Sequence, residues 1–190
     1  MFENQEKRFT ISIFTEDTPG MLNRVTAVFN RRRLNIESIA ASKSETPGLH
    51  RYTIVLTTTK SIANKVMTGL EKQVDIALAF AHEEGEVIHR EIALYKISAE
   101  CLKQGVSIEA LVQNKNARII AMESEFIVLE STGSPEETEA LYEQLLPHGI
   151  LEFVRSGRVA VRRSAKDLTS YLDAIAGQYD KQQNGKSWQN

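Results

Sequence analysis

The sequence has 190 residues, 42% of them hydrophobic, which is enough for one domain of ordinary size or two small ones. Lysine and arginine total 23 against 25 aspartate and glutamate, a net charge of −2, so no bulk electrostatic drive toward nucleic acid or an anionic membrane follows. The single cysteine, Cys101, excludes an intramolecular disulfide and, with no signal peptide, fits a reducing cytoplasm; no apolar run approaches the roughly 20 residues that span a bilayer.

Residues 1–7 read as loose. From 9 to 14 the chain alternates, with Phe9, Ile11 and Ile13 on one face and Thr10 and Ser12 on the other, the period of a strand. The turn Glu16-Asp17-Thr18-Pro19-Gly20 follows. Thr18 or Asp17 is the expected N-cap of a helix, and Pro19 suits its first position, where a missing N–H costs nothing. From 20 to 32, Leu22, Val25 and Phe29 fall at i, i+3 and i+7, and Met21 and Val28 widen the stripe. Strand character returns over 35–42 through Ile36 and Ile39. Pro47-Gly48 marks a turn, and 50–59 alternates again with many β-branched residues. Ser61 is the expected cap of a second helix carrying Ile62, Val66 and Leu70, and 74–80 reads as a fourth strand. The order β-α-β-β-α-β is the ferredoxin-like split arrangement, an antiparallel sheet with both helices on one face.

The pattern then repeats after a short polar connection at 82–87. Residues 90–99 form a strand and 107–113 a short helix; 117–122 and 126–131 read as a hairpin. Ser134-Pro135-Glu136-Glu137 is a helix start with a Ser cap, Pro at the first position and Glu completing a capping box. Ala140, Leu141 and Leu145 give that helix its apolar face, and Pro147 and Gly149 end it. A last strand over 150–161 is broken at Ser156-Gly157. The expected architecture is therefore α+β, two tandem ferredoxin-like βαββαβ units at 8–82 and 88–163. A tail at 164–190 holds an amphipathic helix with Leu168, Leu172, Ile175 and Tyr179, too short to be stable alone in water, and a polar end over 181–190.

Little in the chain points to catalysis. His50, His82, His89 and His148 share no ligand spacing, no cysteine cluster supports zinc, and the glycine-rich phosphate loops and the G-x-S-x-G elbow are missing. Cys101 reads as packing. Arg31-Arg32-Arg33 reads as a solvated face whose charges offset the dipole at a helix end. With 7% aromatics and no aromatic RNA-binding pattern, a nucleic-acid role for the sheets is disfavoured. The turn before the first helix is different. The N–H groups of Gly20, Met21 and Leu22 stand unpaired at a positive helix end, fit for a carboxylate, and Asp17 just before them can hold an ammonium. Asp-x-Pro-Gly before a helix is also a common capping turn, and most such turns bind nothing.

The segments Asp17 to Val25, Phe29-Asn30-Arg31-Arg32 and Asn35-Ile36-Glu37-Ser38-Ile39 resemble an ACT domain. More narrowly they resemble the small regulatory subunits of acetolactate synthase (acetohydroxyacid synthase). Arg51-Tyr52-Thr53-Ile54, Glu71-Lys72-Gln73-Val74-Asp75, Arg90-Glu91-Ile92 and Arg155-Ser156-Gly157 extend the likeness over 8–163. The resemblance implies an N-terminal ACT domain that pairs with a second copy through its sheet and binds valine or another branched-chain amino acid, isoleucine or leucine, at the seam. It implies no active site and no cofactor on this chain. A separate large catalytic subunit would hold thiamine diphosphate, magnesium and FAD, be activated by this chain, and become sensitive to feedback inhibition. The effector carboxylate is expected on Gly20, Met21 and Leu22, its ammonium on Asp17. Asn35 of the facing protomer would add an amide contact, and Met21, Leu22 and Ile36 would line the apolar pocket.

Two positions depart from the family pattern. Many relatives carry Asn at the position of Asp17. Relatives usually have Gly and an aromatic residue where Arg33 and Leu34 stand, and because a left-handed conformation costs Arg energy, a differently shaped helix end is expected. The segment Arg155-Ser156-Gly157-Arg158 is the expected exposed docking surface of the second unit, and 82–87 the place where a change in arrangement is absorbed. The competing reading is a free-standing ACT-type sensor acting on another enzyme or a transcription factor.

Overall fold

The computed structural model describes residues 5–103 and 117–165. Among them the order is β1 (Glu6–Glu16), α1 (Met21–Asn30), β2 (Ser38–Lys43), β3 (Leu49–Thr59), α2 (Lys60–Glu71), β4 (Ile76–Glu83), β5 (Val87–Ser98), α3 (Glu100–Lys103), β6 (Ala117–Met122), β7 (Phe126–Gly133), α4 (Pro135–Leu145), β8 (Ile150–Arg155) and β9 (Val159–Arg162). The helix expected at 107–113, the tail helix and the polar end lie outside the described residues. The chain divides into two compact units, one built from residues up to Ile88 with the chain from Arg162, the other from His89–Val161. Among the described residues no helix is long and apolar enough to cross a membrane.

Both sheets are antiparallel with the strand order of the split βαββαβ arrangement: β2-β3-β1-β4 in the first unit and β6-β7-β5-β8 in the second, where β9 also pairs with β5. The fold is α+β and ferredoxin-like, as the periodicities require. In the first unit the central strands β1 and β3 set Ile11 opposite Ile54 and Ile13 opposite Tyr52. These side chains, with Leu56, form a core with Met21, Val25, Val28 and Phe29 of α1 and Val66 and Leu70 of α2. Truncating a fully buried ring such as Phe29 to Ala removes about 3–5 kcal/mol of stability.

The structure corrects several local expectations. The buried stripe of α1 is Met21, Val25, Val28 and Phe29, while Leu22 is 46% exposed; the helix is rotated from the Leu22-Val25-Phe29 reading. Its N-cap is Gly20 at φ 86°, with no side-chain cap, so Pro19 lies outside the helix and neither Thr18 nor Asp17 caps it. The cap of α2 is Thr59, whose hydroxyl accepts from the Ile62 N–H at 3.4 Å, and not Ser61. β1 reaches back to Glu6, so the start of the chain is less loose than its polarity suggests. β2 starts at Ser38 and β4 at Ile76, leaving Val74 solvent-exposed.

The helix end at Arg33 takes the left-handed shape that a glycine there would favour. Arg33 sits at φ 53°, its N–H donates to Asn30 O at 2.9 Å, and the Leu34 N–H reaches back to Phe29 O at 3.2 Å. This is the Schellman pattern, in which a left-handed residue lets two late amides satisfy the last helical carbonyls. The chain adopts it despite the cost of a Cβ in that region, so the expected difference in shape is not found.

In the second unit, Ala93, Tyr95 and Ile97 of β5 and Ile127 and Leu129 of β7 pack under Leu141 and Leu145 of α4, with Cys101 buried in the same core. Thr138, and not Ala140, fills the remaining inward position of α4. The Tyr95 hydroxyl donates to Thr138 O at 2.7 Å, and burial pushes its pKa up, with Glu91 acting the same way. Ser134 caps α4 by accepting from the Glu137 N–H at 3.2 Å, and Glu137 returns an acceptor to the Ser134 N–H at 2.7 Å. That reciprocal pair is the capping box expected from Ser-Pro-Glu-Glu. Between β4 and β5 the connection reduces to a 3₁₀ turn, Glu84–Glu86, in which Glu86 accepts from the Glu83 N–H at 2.8 Å.

Candidate functional site

The turn between β1 and α1 is pinned at both sides. The Glu16 N–H donates to Asp75 O at 3.1 Å and the Asp17 N–H to Gly48 O at 3.0 Å. Arg24, one turn into α1, forms an ion pair with Asp75, fastening the helix start to the loop before β4. The first intrahelical bond is Arg24 N–H to Gly20 O, so the amides of Met21, Leu22 and Asn23 precede any acceptor within the helix. No side chain caps them. A Cβ built on Gly20 would meet nothing within 4 Å, which leaves the approach to these amides open. A helix terminus of this kind carries a partial positive charge.

Asp17 stands exposed beside the helix start. Its Oδ1 lies 3.4 Å from Nδ1 of His50 at the start of β3. The His50 ring in turn lies against Tyr52, with centroids 5.2 Å apart. Burial raises the Tyr52 pKa; a hydrogen bond with Thr15 opposes that and the Asp17 charge adds to it. His50 was not singled out in the sequence. It reaches Asp17 because β3 pairs with β1 with His50 opposite Thr15, a relationship that spacing along the chain does not reveal.

The structure thus brings Asp17, Gly20, Met21 and Leu22 to one corner. Met21 contributes its N–H only, for its side chain is 2% exposed and belongs to the core; Leu22 is the apolar side chain that faces outward. Asn35 and Ile36 lie past the other end of α1, a helix of 10 residues and so about 15 Å long. Asn35 is exposed and Ile36 packs at the margin of the first core. Within one chain they do not join the Asp17–Gly20 corner. Among the described residues no group of three or more His, Cys, Asp and Glu is placed to hold a metal ion.

In the second unit the segment Arg155-Ser156-Gly157-Arg158 is exposed at Arg155 and Ser156 and buried at Arg158. Arg155 pairs with Glu139 at 3.0 Å and with buried Glu91 at 3.8 Å, while Glu91 also accepts from the Thr138 hydroxyl. Arg158 is 3% exposed. The expected exposed break is thus corrected at Arg158, which is buried, while Arg155 and Ser156 are exposed and also join β8 to β5 and α4.

The comparisons with known proteins agree with this architecture. Residues 11–77 match the model of the AHAS small subunit-like ACT domain, and 90–164 match the small subunit of acetolactate synthase. An acetolactate synthase small subunit from Mycolicibacterium smegmatis is 36% identical over 159 residues, covering 84% of this chain and 93% of that protein. One from Bacillus subtilis is 31% identical over 168 residues, covering 87% and 96%. The crystal structure of the acetolactate synthase small subunit from Thermotoga maritima superposes with a TM-score of 0.76 at 28% identity, covering 84% of this chain and 99% of that one. With a relative at 36% identity matched over nearly its full length, and both halves of the chain recognised, the chain belongs to the acetolactate synthase small-subunit family.

Proposed function

We propose that this chain is the non-catalytic regulatory subunit of a cytoplasmic acetolactate synthase, binding a branched-chain amino acid at the first unit and transmitting its level to a separate catalytic subunit. The observation that carries the reading is the uncapped start of α1, open above Gly20 and flanked by Asp17. The effector carboxylate lies on the amides from Gly20 through Met21 and Leu22 into Asn23. Charge-assisted bonds of this kind contribute roughly 1.5–3 kcal/mol each. The ammonium lies on Asp17, where it displaces or shares the contact with His50. Leu22 supplies apolar surface. Because Asn35 and Ile36 stand at the far end of α1, they enter the site from a second copy, in a homodimer joined along the open edge of β2. Among the described residues β2 is the terminal strand of its sheet.

Each buried methylene adds only about 0.8 kcal/mol, so valine, leucine and isoleucine are separated modestly. The large subunit holds thiamine diphosphate, magnesium and FAD. Effector binding biases one arrangement of the regulatory assembly over another, and the differential affinity sets how far activity falls. Calorimetry of the full chain with valine tests the reading. Saturable binding by the native chain and none by Gly20→Asp, whose carboxylate would occupy the anion position, is the expected pair of results. Equal uptake by both would overturn the placement, and no uptake of any branched-chain amino acid by the native chain would overturn the function.

A further inference from the structure

The arginine triplet that follows α1 is not used by the effector corner. Arg31 and Arg32 converge with Lys72, just past the end of α2, on an open groove of about 490 Å³ whose remaining walls are Thr68, Gly69 and Gln73. No carboxylate lines it. Among the described residues, none of the three cations forms an ion pair with an acidic side chain, whereas Arg8, Arg24, Arg118 and Arg155 all do.

The groove is preorganised at Arg32. Its Nη1 donates to Val28 O at 3.0 Å and its Nη2 to Lys65 O at 2.7 Å, which fixes the guanidinium plane between the two helices. Gly69 makes room for it: a Cβ there would stand 3.0 Å from Nη2. A guanidinium has five N–H donors, so this one keeps donors in hand after both bonds are made. Arg31 Nε donates to Ala27 O at 3.3 Å. Together the two arginines cover the late carbonyls of α1, whose negative dipole end would otherwise repel an anion. Capping explains Arg31 and Arg32 separately. It does not explain why Lys72, just past the end of α2, faces the same space with no acid lining it.

We propose that this groove is a binding site for a small phosphorylated molecule, its phosphate held by the fixed fork of Arg32 and by the charges of Arg31 and Lys72. A planar guanidinium matches the oxygen spacing of phosphate, and a dianion gains more than a carboxylate from three converging cations. The volume lies within the range of small-molecule sites, and the cationic groups of Arg31, Arg32 and Lys72 among its walls favour an anion. The site is independent of the effector corner, since it uses none of its residues.

The test uses the full chain and inorganic pyrophosphate as probe, by calorimetry at low and moderate salt. Saturable binding to one site per chain is expected, weakening as salt rises. The double variant Arg31→Gln, Lys72→Gln should bind at least tenfold more weakly with only a small change in thermal midpoint, because neither side chain is buried and the one bond lost, Arg31 to Ala27 O, is exposed. Arg32→Gln is the more direct change but also removes two bonds to helix carbonyls, so the exposed pair decides the question. Citrate serves as the control for general anion attraction. Failure of the native chain to saturate with pyrophosphate, equal affinity in the double variant, or citrate binding as tightly as pyrophosphate would each overturn the proposal.

Discussion

Ser156 and Ile92, 64 residues apart, hold each other by two hydrogen bonds. The Ile92 N–H donates to Ser156 Oγ at 2.9 Å, and the Ser156 N–H donates to Ile92 O at 2.8 Å. One residue earlier on each strand, Glu91 faces Arg155. Two short segments that mark the family in sequence are therefore one structural joint, the closure of β8 onto β5. The joint sets the first prediction. Ser156→Ala loses one acceptor and should cost about 1 kcal/mol. Glu91→Ala removes the partner of both Thr138 and Arg155 and should cost about 2 kcal/mol or more. Urea unfolding measures both, and Glu91→Ala proving milder than Ser156→Ala would contradict the joint.

At the end of α1, Arg33 occupies a left-handed position that glycine reaches without strain. Arg33→Gly should raise stability by about 0.5–1 kcal/mol, the net of relieved backbone strain against a more flexible unfolded chain. An unchanged or lower urea midpoint would show that the Arg33 side chain contributes something that the Schellman bonds do not.

Thr59 caps α2 and Ser61 does not. Thr59→Ala should cost about 1 kcal/mol, the usual effect of losing a cap. Ser61→Ala, at an exposed helical position, should change stability by less than about 0.5 kcal/mol. The pair is read side by side in one thermal or urea series, and reversal of the order would move the helix start.

Asp17 is exposed, so its loss should leave folding intact while weakening the proposed effector site. Asp17→Ala should reduce valine affinity at least tenfold in calorimetry, with an unchanged unfolding midpoint. Asp17→Asn should fall between the two, since an amide oxygen still accepts a hydrogen bond from an ammonium but carries no charge. Valine affinity that ignores both changes would place the ammonium elsewhere.

His82 gives the first unit a pH dependence. Burial lowers its pKa below the usual histidine value of 6.5; Glu86 opposes this and Arg162 adds to it. Its Nε2 is buried without a hydrogen-bond partner among the described residues, and its ring lies along Phe80 with centroids 6.1 Å apart. With the folded pKa depressed, the unfolded chain binds the proton first as pH falls. The contribution to stability is whole above 6.5 and is lost as pH drops through the folded value. Unfolding midpoints should therefore fall between pH 7 and 5 more steeply for the native chain than for His82→Gln. Parallel curves would show that His82 is not the group responsible.

Periodicity alone was enough for the two βαββαβ units, for the Ser134 capping box and for a polar turn ahead of α1, because strand and helix repeats and a Ser-Pro-Glu-Glu start are local. What failed locally failed for a shared reason. Thr59 and Ser61 are both competent caps, and Leu22 and Met21 both fit an apolar stripe. Which one serves depends on how the helix is rotated against β1 and β3. Gly20 became the cap of α1 because a backbone angle of 86° is free of strain for glycine and costly for its neighbours, a choice made by where the strand must turn. The contact of His50 with Asp17, the ion pair of Arg24 with Asp75, and the convergence of Lys72 with Arg31 and Arg32 join residues from different elements. They exist only once strand pairing and helix packing have brought distant stretches together, and no repeat in the chain encodes those distances.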